Sequence, residues 1–281
     1  MRKRFRIALF ILLAFAVGGI VWSAVQPHVP DPIYNGKPLS KWLKEAAGAN
    51  MGFLKGKRTV EDLSGTHEPW NAAIRESGTN AIPLLLKNLR AEDSNLKFKF
   101  FSLFEKQRLI KIDHIPAEML NQLAAEGFET LGPEAGSAVP ALIQIYEEKI
   151  SGSPSAYAAQ SLEHIGPAAE AAVPALLRSM TNNISGVATN LNYVRRIAVS
   201  TLDTIHPNPE TVLPALANAL NDPDRVVRQR TIKALGHYGT NARSATAPLK
   251  MLLNDPDPSV RESVLSVLNA IEGEASPSAD D

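Results

Sequence analysis

Five short segments of this chain share one pattern: a small or branched residue, a proline, then leucine-rich sequence. They are AIPLLL at 81–86, AVPALI at 138–143, AVPALL at 172–177, VLPALA at 212–217 and TAPLKM at 246–251. Their prolines, Pro83, Pro140, Pro174, Pro214 and Pro248, recur at nearly regular intervals, apart from one wider gap between the first two. Self-similarity at such a period is the signature of a chain built from stacked units. A proline is tolerated in a helix within its first turn, where no intrahelical donor is lost. Each segment therefore marks the start of a helix, and the first helices are expected at about 80–90, 136–149, 170–181, 209–220 and 243–253.

Each first helix is followed by a second one with its own start signal. Asp257 can cap a helix with Pro258 at its first position, and Asp224 can cap the run RVVRQRTIKALGHY. An Asp in that place accepts bonds from unpaired first-turn amides. Val260, Val264, Val267, Leu268 and Ile271 fall on one helical face; so do Val227, Thr231, Ala234, Leu235 and Tyr238, and again Val194, Ala198, Thr201, Leu202 and Ile205. Gly132, Gly166 and Gly239 stand where helices should stop. Two helices per proline interval, repeated along the chain, define an all-α fold, an α-solenoid. A single pair cannot bury its apolar face alone, and stacking buries a continuous core. Composition agrees: 44% of residues are apolar but only 6% aromatic, which suits close packing of Ala, Leu, Val and Ile.

The anchors, together with DPDRVVR at 222–228 and DPDPSVR at 255–261, resemble the HEAT repeat over about 34–271. The resemblance implies an Asp–Arg ladder, Asp222 with Arg228 and Asp255 with Arg261, each guanidinium bonding its own Asp or that of the neighbouring repeat. Val194 and Arg195 keep the family's Val-Arg pair without the Asp-Pro lead, and 136–165 lacks the arginine. YNGKPLSKWL at 34–43 and NAAIRESGTNAIPLLL at 71–86 are similar to exported bacterial HEAT-repeat proteins. In such stacks the second helices line the inner face. The positions there not used for packing, Arg196, Ser200, Gln229, Arg230, Lys233, His237, Glu262 and Ser266, form a candidate ridge for a protein partner. Ser263 and Asn269 lie beside them. Some HEAT-like proteins resemble bilin lyases, so a cofactor-handling module is an alternative, as is a purely structural envelope protein.

The N-terminus carries a separate signal. Arg2, Lys3, Arg4 and Arg6 precede an uncharged apolar run from Ile7 to Val25, and the next basic residue is Lys37. That run spans roughly 28 Å as a helix, about one hydrocarbon core. Positive charge on one flank places the N-terminus in the cytoplasm and the rest outside it. The expectation is an uncleaved transmembrane or signal-anchor helix. A cleaved signal is the alternative, although its best sites put Val21 or Trp22 three positions before the cut.

The expected organisation is then a basic flank and membrane helix at 1–25, a proline-rich linker at 26–33, and an N-terminal capping helix pair at 34–78. Within that pair Gly48, Gly52, Gly56 and Gly65 predict a mobile loop. Five repeats follow over 79–271, with an insertion at about 91–115, and a disordered acidic tail closes the chain at 272–281. The insertion holds SNLKFKFFSLFEKQRLIK at 94–111. Leu96, Phe100, Leu103 and Phe104 predict a docked helix with a basic outer face; membrane-surface or acidic-partner binding is the other reading.

Chemistry finds little support. With 29 basic and 29 acidic residues the chain lacks the excess positive charge that phosphate binding demands, and no nucleic acid is expected. There is no cysteine. GFLKGKRT at 52–59 misses a phosphate loop: its glycines stand one position too close together, and Arg58 stands where Ser or Thr is required. The six histidines are dispersed, and no G-x-S-x-G occurs. The expectation is a non-catalytic protein-binding scaffold outside the cytoplasm, with no cofactor, metal or small-molecule substrate.

Overall fold

The computed structural model describes residues 29–54, 60–93, 115–148, 153–181 and 189–272. The expected membrane helix at 7–25, the aromatic insertion at 94–111 and the acidic tail from 273 lie outside the described residues. No helix among the described residues is long and apolar enough to cross a membrane. One of the chain's two compact units begins at Asp31 and holds the elements described below.

The segment 31–43 is built around a tight turn. Strands β1 (Ile33–Tyr34) and β2 (Lys37–Pro38) pair antiparallel, with Ile33 opposite Pro38 and Tyr34 opposite Lys37. The connecting Asn35 and Gly36 have φ of 48° and 70°, the left-handed conformation that a tight hairpin loop needs and that Asn-Gly adopts most readily. Helix α1 (Leu39–Leu54) follows at once. Asp31 accepts from the Ser40 amide at 2.9 Å and from its hydroxyl at 2.6 Å. The unit that holds the helix pairs thus begins inside the stretch expected to be a linker, and Asp31 satisfies an amide of the α1 first turn. Lys37 lies 3.7 Å from the Trp42 ring centre and 2.8 Å from Glu45.

The glycine-rich loop expected at 48–65 is largely helical. Helix α1 runs through Gly48 and Gly52 to Leu54, and α2 (Val60–Ser77) includes Gly65. Glycine costs a helix about 1 kcal/mol relative to alanine. Burial of Leu43, Ala46, Ala47 and Ala49 on the same helix offsets that cost.

Five helix pairs follow among the described residues. Their first members are α3 (Ile82–Leu89), α5 (Val139–Glu148), α7 (Val173–Thr181), α9 (Pro209–Ala219) and α11 (Thr246–Met251). Their second members are α4 (Ala117–Leu131), α6 (Ser153–Ile165), α8 (Thr189–Ile205), α10 (Arg225–Tyr238) and α12 (Pro258–Glu272). The second helices pack in sequence, α4 on α6, α6 on α8, α8 on α10 and α10 on α12, and each first helix packs on its own partner. Apolar faces meet between them: Leu123, Leu142, Leu162, Leu176, Leu202, Leu235 and Val264 are all fully buried. Thr201 and Thr231 are buried too, and each hydroxyl donates to a carbonyl one turn back, Ile197 at 2.9 Å and Val227 at 2.8 Å.

Pro83, Pro140 and Pro174 each occupy the second position of a first helix, and Pro248 the third of α11. Pro214 departs from this pattern and lies well inside α9. In the other repeats a short 3-10 turn separates the second helix from the next first helix, as at Gly132–Ala138, Gly166–Ala172 and Gly239–Ala245. Each of those turns opens on a glycine with positive φ. Between α8 and α9 there is no glycine. His206 takes the positive φ, and Asn208 accepts from the Glu210 amide at 2.9 Å, so the α-helix starts early at Pro209.

One buried polar side chain closes the first repeat. Asn121, 1% exposed on α4, directs its amide nitrogen to the carbonyls of Asn88 and Leu89 at 2.9 Å and of Ala91 at 3.2 Å. Those carbonyls lie at and just past the C-terminal end of α3, where a helix leaves acceptors unpaired; that of Asn88 also takes the Ala91 amide at 3.1 Å. Asn121→Ala is expected to lower unfolding stability by about 1–3 kcal/mol through unsatisfied buried acceptors. Denaturant titration with an unchanged m-value would check this.

Candidate functional site

The last three repeats are joined by arginines that reach forward. Arg195 on α8 donates through Nε and Nη2 to both carboxylate oxygens of Asp222, at 2.8 and 3.1 Å. Arg228 on α10 does the same to Asp255, at 2.8 and 2.9 Å. Both rungs have the same sequence separation and run from a second helix to the loop ahead of the next one. The guanidinium fork matches the two carboxylate oxygens, which gives the pairing direction as well as strength. Arg228 is 11% exposed and Asp255 3%.

Of the two pairings expected for each ladder arginine, its own Asp or the neighbouring repeat's, the second is the one formed at Arg228. Arg228 binds the Asp of the following repeat. It touches its own Asp222 only at the backbone carbonyl, at 2.9 Å. The Asp222 carboxylate belongs to Arg195, and it also accepts from the Asp224 amide at 2.8 Å. Arg261 meets no carboxylate within ion-pair distance among the described residues, contrary to expectation. Its Nη1 donates instead to the carbonyls of Asp255 at 2.7 Å and Pro256 at 3.3 Å. The register of the two closed rungs puts each arginine's partner in the next repeat, and whatever follows α12 lies outside the described residues.

A second rung runs parallel. Arg196 binds Asp224 through Nε at 2.9 Å and through Nη2. Asp224 also caps α10, accepting from the amides of Val226 and Val227 at 2.9 and 3.1 Å. The Arg196 hydrogen bond holds the Asp224 carboxyl below the usual range; burial opposes it and the two amides assist. At Asp255 burial pushes the carboxyl up, but the Arg228 hydrogen bond, the Asp257 amide and the guanidinium charge outweigh it and leave it low. A carboxyl with a lowered folded pKa stabilises fully above its unfolded value, about 3.9, and loses that contribution as pH falls through the folded value. Thermal stability is expected to fall as pH drops below about 4, and less steeply in an Asp224→Asn, Asp255→Asn double variant. Melting curves by circular dichroism between neutral and strongly acidic pH check it.

Much of the candidate ridge is committed to internal bonds. Arg196 is held by Asp224, Ser200 donates to Glu163 at 2.6 Å, and Gln229 donates to Ser259 at 2.8 Å. Arg230 reaches back to the Arg196 carbonyl at 2.9 Å, and His237 Nδ1 lies 2.7 Å from Asp203. Ser266 donates to the Ser263 carbonyl at 2.8 Å. Lys233 and Glu262 are exposed and have no side-chain partner among the described residues. Sequence reading missed Asp224, Asp203, Glu163 and Ser259 as partners. One signal was available: Arg195 and Arg228 keep the same separation as Asp222 and Asp255, so one rung implies the other.

Between α10 and α12 runs an open groove of about 440 Å³, lined by Val226, Gln229, Arg230, Lys233, Ser263 and Val267 among others. Gly236 allows its two walls to meet closely, since an added Cβ there would stand 3.0 Å from Val267 Cγ2. The groove thus has an apolar floor and a polar rim carrying Lys233, Arg230 and Ser266.

These features define a class: a solenoid of stacked helix pairs with repeat-to-repeat ion pairs. Residues 184–269 match the family described as HEAT repeats, which supports the HEAT-repeat reading and covers the part of the chain that holds the ladder. No curated protein matches the sequence. An engineered protein of known crystal structure is similar at 17% identity, with a TM-score of 0.49, over 82% of this chain and 96% of its own.

Proposed function

We propose that this protein is a non-catalytic scaffold that binds another protein along the face of its second helices, with the α10–α12 groove as the contact. The observation that carries this reading is the groove itself, where Lys233 has no partner among the described residues and apolar surface lies beneath a polar rim. HEAT repeats commonly mediate protein–protein interaction, and the match at 184–269 includes the whole groove. An interface with an apolar centre and polar edge is the usual anatomy of such contacts. The one-sided basic flank before Ile7–Val25 supports a chain anchored in a membrane with its repeats outside the cytoplasm.

The lack of cysteine makes single-site cross-linking direct. A cross-linker carried on Ser266→Cys should capture a defined protein, one carried on Glu170→Cys should not, and Lys233→Glu should abolish the capture. Equal capture from both positions, or indifference to Lys233→Glu, would remove the groove as the binding face. Compartment-specific reporters fused to residue 281 test the topology, and activity of a cytoplasm-only reporter would refute it.

A further inference from the structure

The fourth and fifth repeats contain the same device, and among the described residues only the first copy is closed by a carboxylate. In the fourth repeat Arg228 lays Nη1 on the carbonyls of Asp222 and Pro223, at 2.9 and 3.2 Å. That leaves Nε and Nη2 aimed at Asp255, the head of the next second helix. At the equivalent place in the fifth repeat, Arg261 lays Nη1 on the carbonyls of Asp255 and Pro256, at 2.7 and 3.3 Å. The anchoring is the same, yet Nε and Nη2 of Arg261 have no carboxylate among the described residues. Apolar burial follows the same register. Ile232 on α10 is 0% exposed, while Leu265, its counterpart on α12, is 61% exposed.

We propose that this face of α12 is a docking site for an α-helical segment of a partner protein led by a carboxylate. The carboxylate would take Nε and Nη2 of Arg261, and an apolar side chain of the helix would cover Leu265. The molecule itself specifies the occupant's chemistry. Asp255, just ahead of the α12 cap and followed by an apolar helical face, is what closes the identical rung below. A pre-oriented guanidinium has already lost much of its rotamer freedom, so a carboxylate gains a bidentate bond at reduced entropic cost. A second copy of this chain fits less well. Its Asp222, Asp224 and Asp255 carboxylates are engaged by Arg195, Arg196 and Arg228, and supplying one would break a rung. The site is separate from the α10–α12 groove, whose α12 wall is Ser263, Ser266 and Val267, and it stands whether or not that groove binds a partner.

The test uses the full-length chain and a fluorescent synthetic peptide with the sequence of 254–272, the segment that closes the internal rung. Anisotropy should show saturable binding. Asp255→Asn in the peptide, or Arg261→Ala in the chain, should each weaken it at least about tenfold, and the two together no further than either alone. Leu265→Asp should abolish it. An Arg261→Asp chain should prefer a peptide carrying Asp255→Arg, a rescue that simple misfolding could not produce. Absence of saturable binding by the unmodified peptide, or affinity indifferent to Arg261→Ala, overturns the proposal. So does sedimentation showing a concentration-dependent dimer that Arg261→Ala dissolves, since the face would then belong to a second copy.

Discussion

Arg228→Ala is expected to lower unfolding stability by about 3–5 kcal/mol, because it leaves the buried Asp255 carboxylate without its counter-charge. Asp255 is 3% exposed with the fork in place, so its carboxylate depends on Arg228 for its counter-charge. It keeps only the Asp257 amide, at 2.9 Å. The same substitution frees the carbonyls of Asp222 and Pro223. Repeat arrays are stabilised by nearest-neighbour interfaces, so the damage should be local. Hydrogen exchange should show α12 losing protection first, while α4 and α6 keep theirs. Arg261→Ala is the matched control: among the described residues its guanidinium bonds only carbonyls, and the expected loss is under about 1.5 kcal/mol. Equal losses in the two variants would show that the Arg228–Asp255 rung does not hold these repeats together.

Phe128→Ala should cost about 3–5 kcal/mol, as for a large aromatic removed from a packed core. Phe128 on α4 is fully buried, where α4 meets α2, α3 and α6. Space there is already close-fitting. Next to it Gly127 faces Leu85 so closely that an added Cβ would stand 2.5 Å from Leu85 Cδ2, and Leu85 is itself fully buried. A cavity cannot be closed by a small shift of neighbours packed to this degree. Phe128→Leu, which keeps most of the volume, should lose less than about half as much. Chemical denaturation of both variants distinguishes a cavity cost from a general weakening. If both lost the same amount, shape rather than volume would be what the site requires.

The helix pairs were legible because their signals are local. A proline in a first turn, an Asp cap, a glycine with positive φ and an apolar stripe each act within one or two turns of chain. Pro83, Pro140, Pro174, Asp224 and Gly239 all behave as those rules require. Where two local rules conflicted, the sequence misled. The glycines at 48–65 suggested a loop, but burial of the α1 alanines outweighs their entropy cost. The helix expected at 209–220 starts at Pro209, capped by Asn208, but the first-turn rule fails for its anchor Pro214, which lies well inside it. Asp31 looked like part of a linker until its oxygen was found on the Ser40 amide.

What the tertiary structure alone decided was which charge meets which. The residue types of the ladder, the neutral overall charge and the constant interval between rungs are properties of the sequence. That Arg228 reaches Asp255 while Asp222 goes to Arg195 depends on how one helix pair is laid on the next, an offset that no local signal encodes. The same offset converts Arg196, Ser200 and Gln229 from a free ridge into internal fasteners and leaves Lys233 and Glu262 facing outward. It also leaves Arg261 anchored but without a carboxylate among the described residues. Helix formation is decided within a turn of chain, whereas a guanidinium chooses its carboxylate only after two repeats have packed.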